Sequence, residues 1–523
     1  MGKSKKKDLD TPTSVVDDQI SNQIRNALLG TIIIDVRLYT AVLWPQIAYA
    51  CSTWYIRGGF GFKGAETAVR KAMESIQHQA LYRIAGAFRT TARAALEVCL
   101  DVPPAMLNLA RTAEEACARL MTSPLRRELH AIRSLGRRPA GSRYADPDRD
   151  PLTSPLERLE RRLRGQLGVS PTDIETIEPF VVSPWWQPPD IAIAETREQA
   201  LGEHRKVLAG VCGPSTIIAY TDGSGTDKGV GAAVVSPLGS RACRLGSLDS
   251  HTVYAAELCG VEMALHLTAR AESPVTQFLN PQRERQITIF TDNQAAIRAS
   301  AEPKGSSGQF YIRQIVRLLD HLRADGWRVR LQWLPGHEGV YGNERADRLA
   351  KDAAEGDGEP AGPVLYASLR RRLQASMREH WHRFWANHAH GAALRRIFTA
   401  PSRAVLQLHV GLKRAASSVV IQMQTGKIAL ASYLGLFGAM PTVDCTCGLG
   451  RQDVQHILIT CPTYAGLRLR TVWQHSRETD YARLLREPES VRRAARFMIA
   501  TRLLGQFQGL PDTFRVSNTG GDP

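Results

Sequence analysis

Residues 215–356 carry an order of apolar patterns that few folds can satisfy. Ile217–Tyr220, Val230–Val235 and Arg241–Leu245 read as three successive strands, the first two joined through glycines. A helical period follows from about Val253 to Ala271, then a strand Gln286–Phe290 and a short helix after Asp292. A helix from about Phe310 to Leu322, a strand Val329–Trp333 and a last helix from Asn343 to Ala353 complete the stretch. Three antiparallel strands, then helices alternating with two further strands, predict an α/β domain built on a mixed five-stranded sheet.

Four acids stand at telling places in that order. Asp222 and Asp292 end apolar strand-like runs, while Glu257 and Asp347 sit near the starts of helix-like runs. Any one of them has an ordinary reading, as a turn residue, a helix cap or a solvent-facing carboxylate. Together they would gather four carboxylates at one end of a sheet, where they repel unless they share divalent cations. Two such ions held ~4 Å apart let one activate a water while the other stabilises the leaving oxygen. Hard oxygen ligands favour Mg²⁺ over zinc. The cluster therefore points to metal-assisted phosphodiester chemistry. Gly223-Ser224-Gly225 is only a fragment of a dinucleotide loop and does not carry that function.

The local sequences resemble type 1 ribonuclease H. The resemblance rests on Thr221-Asp222-Gly223-Ser224, Ala255-Ala256-Glu257-Leu258, Phe290-Thr291-Asp292-Asn293, Trp333-Leu334-Pro335-Gly336-His337 and Gly342-Asn343-Glu344-Arg345-Ala346-Asp347. It covers about 140 residues and implies a ribonuclease H-like sheet that hydrolyses the RNA strand of an RNA–DNA hybrid, leaving 5′-phosphate and 3′-hydroxyl ends. By position, Asp222 would bridge two Mg²⁺ ions, for which Mn²⁺ can substitute. Asp347 would face the ion that activates water, with Glu257 and Asp292 nearer the leaving-group ion. His337 would assist proton movement or product release. Gly223, Ser224 and Asn293 are the candidates for reading 2′-hydroxyls in the minor groove. The nine residues Ala301–Gln309 leave no room for the basic protrusion with which some family members grip the hybrid.

The rest of the chain has a different texture. Its 523 residues exceed one ordinary core, and 43% hydrophobic with 23% charged residues read as globular. From residue 361 onward there are 22 Lys and Arg against 9 Asp and Glu, a net +13 of the chain's +16. A basic C-terminal third suits a polyanion such as nucleic acid, with a merely solvated surface as the plainer reading. The expected divisions are a disordered basic N-terminus (1–17), a helical region (18–123), a Pro/Arg-rich linker with a short helix near Leu156–Leu167 (124–213), and the α/β domain (214–356). A basic helical region (357–440), a Cys/His module (441–465) and a basic helical tail with a disordered end (466–523) follow.

Nine scattered cysteines exclude a secreted disulfide scaffold, and the N-terminus lacks the apolar core of a signal peptide. An intracellular protein is expected, and Lys3, Lys5, Lys6 and Lys7 are compatible with a nuclear address. The uncharged stretch Leu38–Ile56 contains Pro45, Gln46, Ser52, Thr53 and three tyrosines, so it reads as buried helix rather than a membrane span. Cys445, Cys447, His456 and Cys461 supply three thiolates and an imidazole within 17 residues, a competent tetrahedral Zn²⁺ set. Such a closed site is structural and would present Arg451 to nucleic acid; unpaired core cysteines are the plainer alternative.

The flanks are similar to another protein type. Leu38-Tyr39, Pro45, Tyr49 and Trp54, then Ile84–Thr91 and Pro103-Pro104, resemble the helical region after the polymerase palm in non-LTR (LINE-type) retrotransposon reverse transcriptases. Those polyproteins often continue into a ribonuclease H domain and end in a Cys/His motif. No palm is present here, since Tyr144-Ala145-Asp146 is followed by Pro147 and lacks a second aspartate. The expectation is the C-terminal part of such a polyprotein, without polymerase activity. Two alternatives stand: a catalytically silent nucleic-acid-binding remnant, and an integrase- or resolvase-type nuclease, against which the fourth carboxylate argues.

Overall fold

The computed structural model describes residues 31–55, 65–126, 154–210, 216–270, 285–359 and 362–508. The lysine run at the N-terminus, Tyr144–Asp146 and the expected disordered end lie outside these residues. In chain order the principal elements are α1 (Ile32–Leu38), α2 (Ala65–Ala85), α3 (Arg93–Cys99), α4 (Ala105–Met121) and α5 (Pro155–Leu167). Then come β1 (Asp190–Ala192), α6 (Arg197–Gly210), β2 (Thr216–Gly225), β3 (Val230–Ser236), β4 (Gly239–Gly246) and α7 (Val253–Ala269). They are followed by β5 (Arg285–Thr291), α8 (Gln294–Ala301), α9 (Gln309–Ala324), β6 (Trp327–Trp333) and α10 (Tyr341–Glu355). Last are α11 (Tyr366–Asn387), α12 (Arg414–Thr425) and α13 (Pro488–Ala500). No helix among the described residues is long and apolar enough to cross a membrane.

The chain divides into two compact units, residues 114–375 and residues 1–113 with 376–523. The first holds a mixed sheet in the order β1-β6-β5-β2-β3-β4. It has six strands rather than the expected five. The sixth comes from the stretch read as linker: Asp190-Ile191-Ala192 pairs parallel with Arg330-Leu331-Gln332 of β6. Three residues after Pro188-Pro189 are too few to show alternation, which is why the pattern hid them. That stretch is tied down further by Glu175. Its buried carboxylate accepts from Gly308 N (2.9 Å), Tyr366 N (2.8 Å) and Ser307 Oγ (2.5 Å). Ser154 and Glu157 form a reciprocal capping box that starts α5.

Strand β2 lies at the centre, parallel to β5 and antiparallel to β3. Its alternate residues serve two covered faces. Ile217 and Ala219 join the core under α7, and Ile218 packs with Phe290 and Leu334 on the other face. There Tyr220 stacks on Phe290, with ring centroids 5.4 Å apart, and hydrogen-bonds His204 of α6 at 2.8 Å. α10 covers the same face. Gly231 of β3 lets it do so, because a Cβ there would stand 2.3 Å from Ala350 O and 2.5 Å from Ala354 N. Those are backbone atoms and cannot give way cheaply.

In the second unit, helices far apart in sequence share one body. Arg414 of α12 pairs with the buried Asp35 carboxylate and donates to Arg83 O at 2.8 Å, and Gln422 donates to Gly86 O at 2.8 Å. Val419, Val420 and Met423 of α12 pack with Ile457, Leu458, Val491 and Phe497.

The packing of β3 on α10 yields a test. Gly231→Ala should destabilise the chain by roughly 1–3 kcal/mol through overpacking, measured by urea denaturation. An unchanged midpoint would contradict the close approach.

Candidate active site

The site begins with β2 running further than expected. The strand continues through Asp222-Gly223-Ser224-Gly225 because these residues pair with Val230–Ala233 of β3, so Asp222 lies inside the strand and not at its end. Two residues after Tyr220, Asp222 shares the face that α10 covers. Glu257 is on α7, whose start is capped by Thr252 accepting from Ala255 N. Gly223 permits the approach of that helix, since a Cβ there would lie 2.5 Å from Glu257 N. Asp292 follows the last residue of β5. Its carbonyl accepts from Trp333 Nε1 at 3.0 Å, and Leu334 N donates to Thr291 O at 3.0 Å. These bonds hold the β6 exit loop beside β5. Asp347 lies in α10, whose close start depends on Gly342, where a Cβ would meet the Tyr220 ring at 2.3 Å.

The structure brings the expected acids together in two adjoining groups. Carboxylate oxygens of Asp222, Glu257 and Asp292 lie within 4.8 Å of one another. Asp347 groups within the same limit with His337 and Glu344. The two groups feel each other's charge, since Asp347 acts on both Asp222 and Asp292, and His337 acts on Asp292. His337 sits at φ +60°, in the left-handed region. Gly336 before it lies against the Asp292 carboxylate, which a Cβ there would displace, standing 2.6 Å from Oδ2.

The electrostatics are those of crowded like charges. Asp222 is 6% exposed. Its carboxyl is pushed up to about 7 by burial and then by Asp292 and Asp347, with Lys351 opposing. Glu257 is raised well above the usual carboxylate range by burial first, then by Asp222 and Asp292, although Thr291 Oγ1 donates to it at 3.3 Å. Burial also raises Asp292, which His337 partly offsets. An all-oxygen donor set whose members resist ionising side by side fits a hard divalent cation, which would relieve the repulsion directly.

Of the residues expected to touch substrate, Ser224 is 9% exposed and Gly223 is occupied in packing. Asn293 caps α8, its Oδ1 accepting from Ala296 N at 3.0 Å. Two residues of the site went unread in the sequence: Glu344, and Lys351, whose Nζ lies 2.7 Å from Asp347 Oδ2. Both were visible in principle, being three residues before and four after Asp347 on one helix face.

The Cys/His set also converges. One donor atom from each of Cys445, Cys447, His456 and Cys461 lies within 4.8 Å of the others. Cys445 Sγ is 3.7 Å from Cys461 Sγ, and Cys447 Sγ is 3.2 Å from His456 Nε2. Thr460 Oγ1 meets His456 Nδ1 at 3.0 Å, so the other ring nitrogen is turned to the sulfurs. Cys445 N donates to Gly450 O at 2.7 Å, and Gly448 at φ +74° closes the turn between. The buried Arg468 donates to the carbonyls of Ile457, Leu458 and Cys461 beneath it. Three thiols and an imidazole so placed suit zinc by donor softness and number.

The raised Asp222 has a consequence for stability. With an ordinary value of 3.8 and a folded value of about 7, the folded chain holds this proton more tightly than the unfolded chain. The stabilisation is full below about pH 4 and is lost as pH rises through about 7. In metal-free buffer, Asp222→Asn should therefore raise stability at pH 8 by on the order of 1–3 kcal/mol and change it little at pH 4. Equal effects in thermal melts at the two pH values would contradict this.

Comparison with known proteins agrees with the geometry. Residues 214–355 match the RNase H family. Over 142 residues the chain is 32% identical to the Pol polyprotein of equine infectious anemia virus (strain Wyoming), a match covering 26% of this chain. The chain spans only 10% of that relative's length. Among solved structures it is similar to a foamy viral protease-reverse transcriptase in complex with RNA/DNA hybrid (18% identity, 26% of this chain and 20% of that one, TM-score 0.21). It is also similar to the N-terminal RNase H domain of rv2228c from Mycobacterium tuberculosis, fused to maltose binding protein (17% identity, 27% and 93%, TM-score 0.20). Residues 214–355 are an RNase H domain, homologous to a segment of a retroviral Pol polyprotein.

Proposed function

We propose that this domain hydrolyses the RNA strand of RNA–DNA hybrids as a type 1 ribonuclease H. The observation that carries the reading is the convergence of Asp222, Glu257 and Asp292 within 4.8 Å, with Asp347 and His337 adjoining. Asp222, Glu257, Asp292 and Asp347 would hold two Mg²⁺ ions, with Mn²⁺ able to substitute. When bound, such a pair supplies an activated water and neutralises the leaving oxygen. The protein's own part is to hold four carboxylates in two adjoining groups against their repulsion, from a central strand, a strand exit and two helices. Thr291 and Lys351 orient Glu257 and Asp347 through the bonds described above. His337, at a left-handed φ beside Asp292 and Asp347, would assist proton movement or product release. Gly223, Ser224 and Asn293 would read 2′-hydroxyls in the minor groove.

The flanking regions would belong to a LINE-type retrotransposon protein, in which the nuclease would clear template RNA. The Cys445–Cys447–His456–Cys461 set is assigned to a structural Zn²⁺ that closes the 441–465 module. Intactness of all four carboxylates favours an active enzyme over a silent binding remnant.

Two experiments test these assignments. With Mg²⁺, the chain should cleave the labelled RNA strand of a hybrid, and Asp222→Asn should lower the rate by ~100-fold or more. Equal rates in the two, or cleavage by neither, would sink the nuclease assignment. For the second site, elemental analysis should find one zinc per chain, lost in Cys461→Ser with a lower melting temperature. A zinc-free, fully folded wild type would overturn it.

A further inference from the structure

One helix face in the nuclease domain carries a charge pattern that hydrolysis alone does not require. On α10, Glu344, Asp347 and Lys351 follow one another at spacings of three and four, so they share a face. Lys351 Nζ lies 2.7 Å from Asp347 Oδ2, and among the described ion pairs this is the one that reaches the four-carboxylate cluster. The ammonium's surroundings are acidic on more than its own helix, since Asp222 of β2 acts on it together with Asp347 and Glu344.

We propose that Lys351 is the built-in counter-cation of this site: it holds Asp347 beside Asp222 and competes with divalent cations for the Asp347 carboxylate. The proposal rests on the reading of the cluster as a metal site. It makes Lys351 a positioning residue, acting through Asp347.

An exposed lysine–aspartate pair four residues apart on a helix ordinarily contributes little. The difference here lies in the partner. The Asp347 side chain is 18% exposed and its charge acts on both Asp222 and Asp292. A positive charge on that set is shared by all of its members, because Coulomb terms in a partly buried cluster reach past the nearest atom. The lysine itself is 49% exposed, so its flexible stem can carry the ammonium into water when an ion arrives. A divalent cation taking Asp347 must displace that ammonium or share the oxygen with it. Lys351 therefore keeps the metal-free site assembled while weakening its hold on metal.

Direct ion binding tests this without reference to turnover. Free Mn²⁺ would be followed by electron paramagnetic resonance at low salt, using the full chain prepared with zinc so that thiolates do not take up manganese. Wild type, Lys351→Met, Lys351→Gln and Lys351→Arg would be compared, counting only the sites that Asp222→Asn removes. The neutral variants should bind Mn²⁺ roughly three- to tenfold more tightly, and the arginine variant should return to the wild-type affinity. The gain should shrink as salt screens the cluster. Unchanged or weaker Mn²⁺ binding in both neutral variants, with wild-type circular dichroism, would overturn the proposal. If wild type itself shows no Mn²⁺ site that Asp222→Asn removes, the metal reading falls and this proposal falls with it. If that site exists and the neutral variants bind like wild type, Lys351 alone loses its role.

Discussion

Mutual repulsion among crowded carboxylates is the constraint on which the RNase H domain turns. Asp222, Glu257, Asp292 and Asp347 arrive from a central strand, a covering helix, a strand exit and a second helix, and no two are neighbours in sequence. Left to itself such a group would spread apart or stay protonated; burial first, and then the neighbouring carboxylates, displace Asp222, Glu257 and Asp292 upward. Packing opposes it. Gly223 admits α7 to β2, Gly231 and Gly342 admit α10 to the sheet, and Gly336 admits the His337 loop to Asp292. Gly223, Gly231 and Gly342 remove a side chain where backbone or a ring must come close, and Gly336 where the Asp292 carboxylate does, so the scaffold brings the acids together and Lys351 acts on Asp347 within it.

Much of this was legible in the sequence, and the limits have physical causes. The acids could be found because each lies in or beside an element whose periodicity is strong, and the strands Ile217–Tyr220 and Val329–Trp333 lie inside β2 and β6. Extension of β2 through Asp-Gly-Ser-Gly could not be read, because those residues are poor strand formers held only by pairing with β3. β1 and α6 escaped for a similar reason: three residues beyond a proline pair show no alternation, and α6 is polar over much of its length. Neither Glu344 nor Lys351 carries any signal except its spacing from Asp347.

The second compact unit makes the point differently. Asp35 and Arg414 are a buried acid and its partner separated by 379 residues. No local pattern predicts that pairing, and α12, buried on every side from Ala416 to Thr425, shows no amphipathic stripe to read. By contrast the Cys/His set was legible at once, because metal-ligand spacing is short-range and nearly independent of the surrounding fold. The hydrogen bond between Thr460 and His456 and the carbonyl contacts of Arg468 are the supports that only the folded chain reveals.

The fate of solvent oxygen tests the central chemistry most directly. A hybrid would be cleaved by the full chain in ¹⁸O-water with Mg²⁺, and the fragments weighed by mass spectrometry. The expected result is RNA fragments with a 5′-phosphate carrying one ¹⁸O and an unlabelled 3′-hydroxyl, beside an intact DNA strand. A 2′,3′-cyclic phosphate, label on a 3′-phosphate, or cleavage of the DNA strand would contradict hydrolysis at this four-carboxylate site.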